Sequence, residues 1–262
     1  MQNDILLKLD SLSYKINQKK IIDNISLEIK SGDMISIIGP NGSGKTTMIR
    51  LISNEIIPTK GSIILKDKNI NDWDISELAC HRAVLSQSNN LVFPFSVLDI
   101  VKMGRFPLNN KGKNIEEDKL CREILDIFDL SDYVNQNYIT LSGGEKQRVQ
   151  LARIIAQLWS EDYSKKLLIL DEPTSYLDIK HQHALFKFLK LLNKKGLTIM
   201  MVLHDLNHAF SNSNKTILLK SSKLISFGNT ADTINEKILN KVFEIDLKLI
   251  NYNGLDGPFV SY

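Results

Sequence analysis

The chain has 262 residues, of which 43% are hydrophobic and 24% charged, with a formal net charge of +3. Those fractions are ordinary for a globular protein of one or two domains. So small a positive balance lacks the basic stripe of a nucleic-acid binder, so no nucleic-acid partner is expected, and it allows but does not demand a place beside an acidic membrane surface.

Cys80 and Cys121 have no metal-like spacing and suit a reducing compartment. The segment MQNDILLKLD carries Asp4 and no long apolar run, so it does not read as a signal peptide. The longest apolar runs, such as Thr198 to Leu203, fall well short of the roughly 18 residues that a membrane span needs. Work at a membrane would therefore be that of a peripheral subunit.

Residues 4–30 alternate apolar and polar side chains, the pattern of antiparallel strands with one wet face. Ser31-Gly32-Asp33 turns the chain into the short apolar strand Met34 to Ile38. Gly39-Pro40-Asn41-Gly42-Ser43-Gly44-Lys45-Thr46 then fits the phosphate-binding loop G-x-x-x-x-G-K-[ST] at every fixed position, and Thr46-Thr47 opens a helix. Strand, glycine loop and helix is the context that the motif requires. Its glycines let backbone N–H groups turn toward phosphate oxygens, and the helix start adds unpaired donors and a positive dipole end. Lys45 is expected to reach the β- and γ-phosphates, and the Thr46 hydroxyl to ligate Mg2+.

A strand at Gly61 to Leu65, a helix over 74–82 and a strand ending at Gln87 follow. Helical spacing over 96–103, 115–130 and 142–159 predicts a mostly helical insert from about residue 89 to 160. The parallel sheet resumes at Lys165 to Leu170, with a helix over 179–195 and a strand from Leu197 to Leu203. After Phe227 the chain reads as a short tail. The domain organisation expected is a core with an antiparallel β subdomain (1–88 and 160–228), a helical unit (89–159) and a C-terminal tail (229–262).

Three apolar strands end in polar groups: at Gly39, at Asp171-Glu172 and at His204-Asp205. Ligands of open parallel sheets bind at the carboxyl ends of strands, so these termini should converge. Asp171 is placed to hold Mg2+ through water, and Glu172 to act as general base on the attacking water. Read alone, the pair is more simply a strand ending in solvated acids; the phosphate loop in the same chain favours the chemical reading. His204 is either a structural histidine or a hydrogen-bond donor to the γ-phosphate. Leu141-Ser142-Gly143-Gly144-Glu145 opens the helix 142–159; Ser142 with Glu145 makes a capping box, and the two glycines suit close approach of a phosphate. His204 and His208 lack the glutamate of a metalloprotease pair, and His181 with His183 reads as a solvated surface.

On these residues the chain resembles the ATP-binding-cassette ATPases along nearly its whole length: GPNGSGKTT (39–47), LSGGE (141–145) and LLILDE (167–172) match the family's three motifs. The resemblance implies an α/β fold with a phosphate-loop (RecA-like) parallel sheet core, an antiparallel β subdomain and an inserted helical subdomain. It implies that Tyr14 stacks on adenine and that Gln87 touches Mg2+ and water and connects to the membrane subunits. It makes Ser175, Leu177 and Asp178 a loop crossing a dimer interface, with Tyr176 standing where the family carries alanine, and His204 the switch histidine. HRAVLSQ (81–87), FPFSVLDIVKMGR (93–105) and SYLDIKHQH (175–183), with the helix after the signature, resemble the ATPase subunits of haemin importers, relatives of siderophore and vitamin B12 importers.

The implied working unit is a homodimer that sandwiches two ATP molecules. Each phosphate loop faces Ser142, Gly143, Gly144 and Glu145 of the other copy, with the dimer at the cytoplasmic face of the plasma membrane. A membrane permease would dock on the strip from Gln87 to Arg105, where Phe93 and Phe95 either face the partner or pack within the insert; a substrate-binding protein would act indirectly. A soluble family member acting on nucleic acid or ribosomes is the alternative, and a single cassette with no long heptad run fits an importer better.

Overall fold

The computed structural model describes residues 4–86, 93–108, 114–250 and 259–261. Strands β1 (Ile5–Ile16) and β2 (Lys19–Lys30) pair antiparallel, in a register that sets Leu9 opposite Leu27. After β3 (Met34–Ile38) and α1 (Lys45–Ile52), β4 (Lys60–Leu65) and β5 (Lys68–Asn69) return to β1, giving a four-stranded sheet in the order β2-β1-β4-β5. Asp74 caps α2 (Ile75–His81), which leads into β6 (Arg82–Leu85). Then come α3 (Val97–Met103), α4 (Asn114–Ile127), α5 (Gly143–Leu158), β7 (Leu167–Asp171), α6 (Ile179–Lys194), β8 (Thr198–Val202) and α7 (Leu206–Asn212). The hairpin of β9 (Lys215–Lys220) and β10 (Lys223–Asn229), α8 (Thr230–Thr233), α9 (Glu236–Phe243) and the pair β11 (Lys248–Ile250) and β12 (Phe259–Ser261) complete the chain.

The central sheet runs β10-β9-β3-β8-β7-β6, parallel except for the edge strand β10. Strands β3, β7 and β8 are buried at every position, as strands covered on both faces must be. Their alternate side chains enter two different cores. Ile35, Ile37, Leu167, Ile169, Met200 and Val202 pack toward α1 and the antiparallel sheet. Met34, Ile38, Leu168, Leu170, Ile199 and Met201 pack toward the helices. A sequence run that is apolar throughout cannot say which side chain goes where; the sheet's two-residue pleat decides it.

Two differences from the sequence reading are instructive. The β9–β10 hairpin supplies two strands where that reading assigns none: β9 is a buried TILL flanked by lysines, too short to declare a period by itself. The strand expected to end at Gln87 ends at Leu85, and Gln87 lies outside the described residues.

The helices meet tightly at one glycine. A Cβ on Gly104, which caps α3, would stand 2.1 Å from the Arg153 carbonyl oxygen of α5. Backbone on both sides leaves little room to relax, so Gly104→Ala is expected to lower stability by about 1–3 kcal/mol, the usual cost of overpacking. A lower urea midpoint with an unchanged slope measures this.

Candidate active site

The phosphate loop lies between two strands that do not hydrogen-bond to it. Gly39 has φ +151° and Gly44 φ +108°. A Cβ on Gly39 would come 2.1 Å from the Leu219 carbonyl oxygen on β9, and one on Gly44 would come 2.7 Å from that of Ile21 on β2. Gly42 meets no such wall, and its φ of +76° is the reason for glycine there. The Ser43 amide donates to the Pro40 carbonyl at 3.2 Å, closing the loop. Gly44 caps α1 with no side-chain hydrogen bond, so the helix offers bare N–H groups, an anion site.

Lys45 is 6% exposed, and its ammonium donates to the Gly39 carbonyl at 2.8 Å and the Pro40 carbonyl at 3.1 Å. Burial pulls its pKa down, against the attraction of Glu172 and Asp171. The three strand ends therefore do converge. The Thr46 side chain is close enough to Asp171 to oppose the rise of its pKa, and His204 Nε2 stands 2.6 Å from Glu172 Oε1. Asp171 is 3% exposed, and its Oδ1 is buried with no hydrogen-bond partner. Burial and the neighbouring Glu172 carboxylate push its carboxyl up to about 6, despite Thr46, Lys45 and His204. An orphaned acid beside a helix-start hydroxyl is a donor set for a hard divalent cation. Among the described residues no cluster of three or more His, Cys, Asp or Glu side chains forms a cage for a metal, so other oxygens must complete the coordination. Phosphate oxygens and water are the usual complement for Mg2+.

The capping box at Ser142 forms as expected. The Glu145 amide donates to Ser142 Oγ at 3.4 Å, while Glu145 Oε2 accepts from the Ser142 amide at 2.7 Å and its hydroxyl at 2.8 Å. The Ser142 and Tyr133 hydroxyls hold the Glu145 carboxyl below the usual carboxylate range. Glu145 is thus occupied by the cap, and the glycine turn presents backbone. The turn packs on residues 173–176 of its own chain. A Cβ on Gly144 would stand 2.8 Å from the Tyr176 carbonyl oxygen, and the Tyr176 ring lies along Gly143. Gln147 of α5 donates to the Pro173 carbonyl at 3.3 Å. Tyr176 has φ +65° and Glu172 φ +53°, strained positions for residues with a Cβ, and Tyr176 is 81% exposed. The Ser175 hydroxyl faces Glu172 Oε2 at 3.4 Å, so the segment expected at a dimer interface also touches the acid. Leu177 is buried, and exposed Asp178 caps α6.

Tyr14 is half-buried on β1, opposite Ile22, whose Cδ1 lies 2.9 Å from where a Cβ of Gly44 would stand. That places Tyr14 one strand from the end of the loop. Phe93 is exposed, whereas Phe95 packs against the helical core 6.2 Å from Phe93 (ring centroids), so only the first of the two is free to face a partner. His181 is not a solvated residue either: its Nδ1 pairs with Asp178 at 2.8 Å and its Nε2 lies 3.5 Å from Asp129. What the sequence reading misses are the carbonyls of Ile21 and Leu219 and the Gln147 amide, because none of these belongs to a motif.

Comparison with known proteins agrees with this geometry. The family model for ABC transporters matches residues 22–175, more than half of the chain. The chain is similar to the hemin import ATP-binding protein HmuV of Escherichia coli O157:H7, 36% identical over 256 residues, covering 97% of this chain and 98% of that protein. It is also similar to that of Gloeobacter violaceus, 35% identical over 257 residues, covering 97% and 93%. Among solved structures, a metal-chelate type ABC transporter in an inward-facing conformation aligns with a TM-score of 0.78 at 26% identity, covering 98% of this chain and 96% of that one. The dimeric cassette MJ0796 in a post-hydrolysis state with ADP and Pi aligns with a TM-score of 0.76 at 29% identity, covering 86% and 99%. The family model spans the phosphate loop, the glycine turn and the acidic strand end, and the relatives match nearly from end to end: this chain belongs to the ABC transporter family and is an ATPase.

Proposed function

We propose that the protein hydrolyses ATP as a homodimer at the cytoplasmic face of the plasma membrane and so powers import of haemin through a separate permease. The observation that carries the catalytic reading is the orphaned, 3%-exposed Asp171 beside Lys45, Thr46 and Glu172. Haemin as cargo rests on the two relatives bearing that name. The metal-chelate type transporter among the structural relatives supports a second reading, a siderophore or cobalamin cargo. The dimer is supported by the solved dimeric cassette. A peripheral place fits the described residues, none of whose helices is long and apolar enough to cross a membrane.

In this reading residues 39–47 wrap the triphosphate and Tyr14 stacks on the adenine. The Lys45 ammonium exchanges the Gly39 and Pro40 carbonyls for β- and γ-phosphate oxygens. Thr46 and Asp171, with Gln87, hold the Mg2+ ion, which when bound neutralises phosphate charge. Glu172 accepts a proton from the water that attacks the γ-phosphorus, while the bond to the bridging oxygen breaks toward ADP. His204 orients Glu172 across their 2.6 Å contact and meets the γ-phosphate. Ser142, Gly143 and Gly144 of the second copy supply backbone donors at a helix N-terminus, with Glu145 holding that turn in shape. Residues 175–178 cross the interface. Closure and reopening would pull on the helical unit (89–159) relative to the core (1–88 and 160–228), with α9 of the tail (229–262) staying packed against the core, and exposed Phe93 on the strip from Gln87 to Arg105 would meet the permease.

Three measurements test this. Purified with its permease, the protein should hydrolyse ATP faster when the transporter is supplied with haemin than with a ferric siderophore or cobalamin; the reverse order assigns the other cargo. Glu172→Gln should bind ATP normally, lose about 10²–10³ in turnover and accumulate as an ATP-bound dimer on gel filtration. Unimpaired turnover would remove Glu172 as the base. For Asp171, folding raises an acid's pKa, so the ionised form costs stability above about pH 6, and the cost is relieved as pH falls through that value. Asp171→Asn should therefore make the nucleotide-free protein more stable at pH 8, on the order of 1–2 kcal/mol, while abolishing the extra Tm that Mg2+ gives over ATP alone.

A further inference from the structure

The turn between β9 and β10 is held from two sides. Lys220 Nζ donates to the Lys241 carbonyl at 2.6 Å and to Glu244 Oε1 at 2.7 Å, both at the C-terminal end of α9. The last carbonyls of a helix lack partners within it and sit at the negative end of its dipole, so an ammonium there answers both needs. Two residues on, the Ser222 hydroxyl donates to the Lys20 carbonyl at 2.8 Å, and the Ser222 carbonyl accepts from the Asp23 amide at 2.8 Å. The turn thus ties α9 to the end of β2. The residues just inside these ties, Leu219 on β9 and Ile21 on β2, are the two whose carbonyls wall the phosphate loop at Gly39 and Gly44.

Helix α9 is itself fixed, since Leu239, Val242 and the following Leu247 are each 1% exposed or less and belong to the core that holds the helices. A cavity of about 190 Å3 separates it from the loop, with Pro40 to Ser43 on one wall and Lys220, Phe243 and Glu244 on the other. The loop has no direct hydrogen bond to Leu219 or Ile21 among the described contacts, so its shape follows wherever these walls stand.

We infer that Lys220 is a positioning residue for nucleotide binding: by latching the β9–β10 turn to the C-terminal end of α9, it fixes the spacing of the two backbone walls that shape the phosphate loop. The C-terminal segment is then part of the nucleotide site without touching the nucleotide. Reciprocity follows, because a tie that helps the loop bind must itself be tightened when the loop is occupied.

This inference rests on the loop binding ATP, and the test separates the two. In the full-length protein, Lys220→Met keeps the alkyl chain and removes the donor, whereas Lys220→Arg keeps a donor. Lys220→Met is expected to raise the ATP Kd and KM about threefold to tenfold, the worth of an ordinary net hydrogen bond at a partly exposed site, with kcat within about twofold. Lys220→Arg should recover most of the loss. Hydrogen exchange supplies the readout that a merely structural role would not move: ATP should slow exchange over residues 236–244 in the native protein and not in Lys220→Met. An unchanged Kd in Lys220→Met, or an α9 indifferent to ATP in a native protein that binds it, overturns the inference alone. Failure of the native protein to bind ATP, or normal binding by Lys45→Ala, overturns the reading of the loop itself.

Discussion

The constraint on which the rest depends is the approach of backbone to backbone at Gly39 and Gly44. Two carbonyls, from Leu219 in the parallel sheet and Ile21 in the antiparallel one, stand where side chains would otherwise begin. The loop is thereby shaped by two sheets that meet at it. Any side chain at either glycine must displace a strand, which a close-packed interior resists. The antiparallel sheet is therefore more than an ornament on the core: it forms one wall of the site.

Around that loop the charges are arranged against their own interest. Lys45 is buried enough for its pKa to fall, and Asp171 is buried beside a second carboxylate so that its own rises. A structure selected only for stability would leave these groups in water or pair them fully. Instead Lys45 leans on carbonyls and Asp171 keeps an oxygen without a partner. Groups poised in this way interact strongly with a polyanion and a hard cation because little of their charge is already satisfied. The strain at Glu172 and Tyr176 lies in the same region, in the segment that packs on the glycine turn of α5.

That packing gives the segment 172–176 two neighbours. Through Glu172 it belongs to the phosphate end of its own chain, with His204 and Ser175 on either oxygen. Through Tyr176 it lies on Gly143 and Gly144, which in the proposed dimer serve the other copy's nucleotide. A shift of Glu172 on hydrolysis would bear on that turn through contacts of a few ångströms, with tyrosine in place of a smaller side chain adding an exposed ring to the interface.

Much of this was legible in the sequence because the chemistry depends on fixed local spacing. The phosphate loop, the Ser142–Glu145 cap and an apolar strand ending in Asp171-Glu172 are each decided by a few consecutive residues and their backbone needs. Other features have no local signature. The faces of β3, β7 and β8 look identical until the sheet assigns alternate residues to two cores. The β9–β10 hairpin is too short to show a period, yet it supplies the wall at Gly39. Phe95 reads like Phe93 but is partly covered by packing against the helical core, and His181 reads as surface until Asp129 arrives from a distant helix end. The family, the loop and the identity of the acids follow from residue type and spacing alone. Which carbonyls press on the glycines, which oxygen of Asp171 goes unpaired and how α9 reaches the nucleotide site are settled in the fold, because they depend on segments far apart in the chain meeting within a hydrogen bond's length.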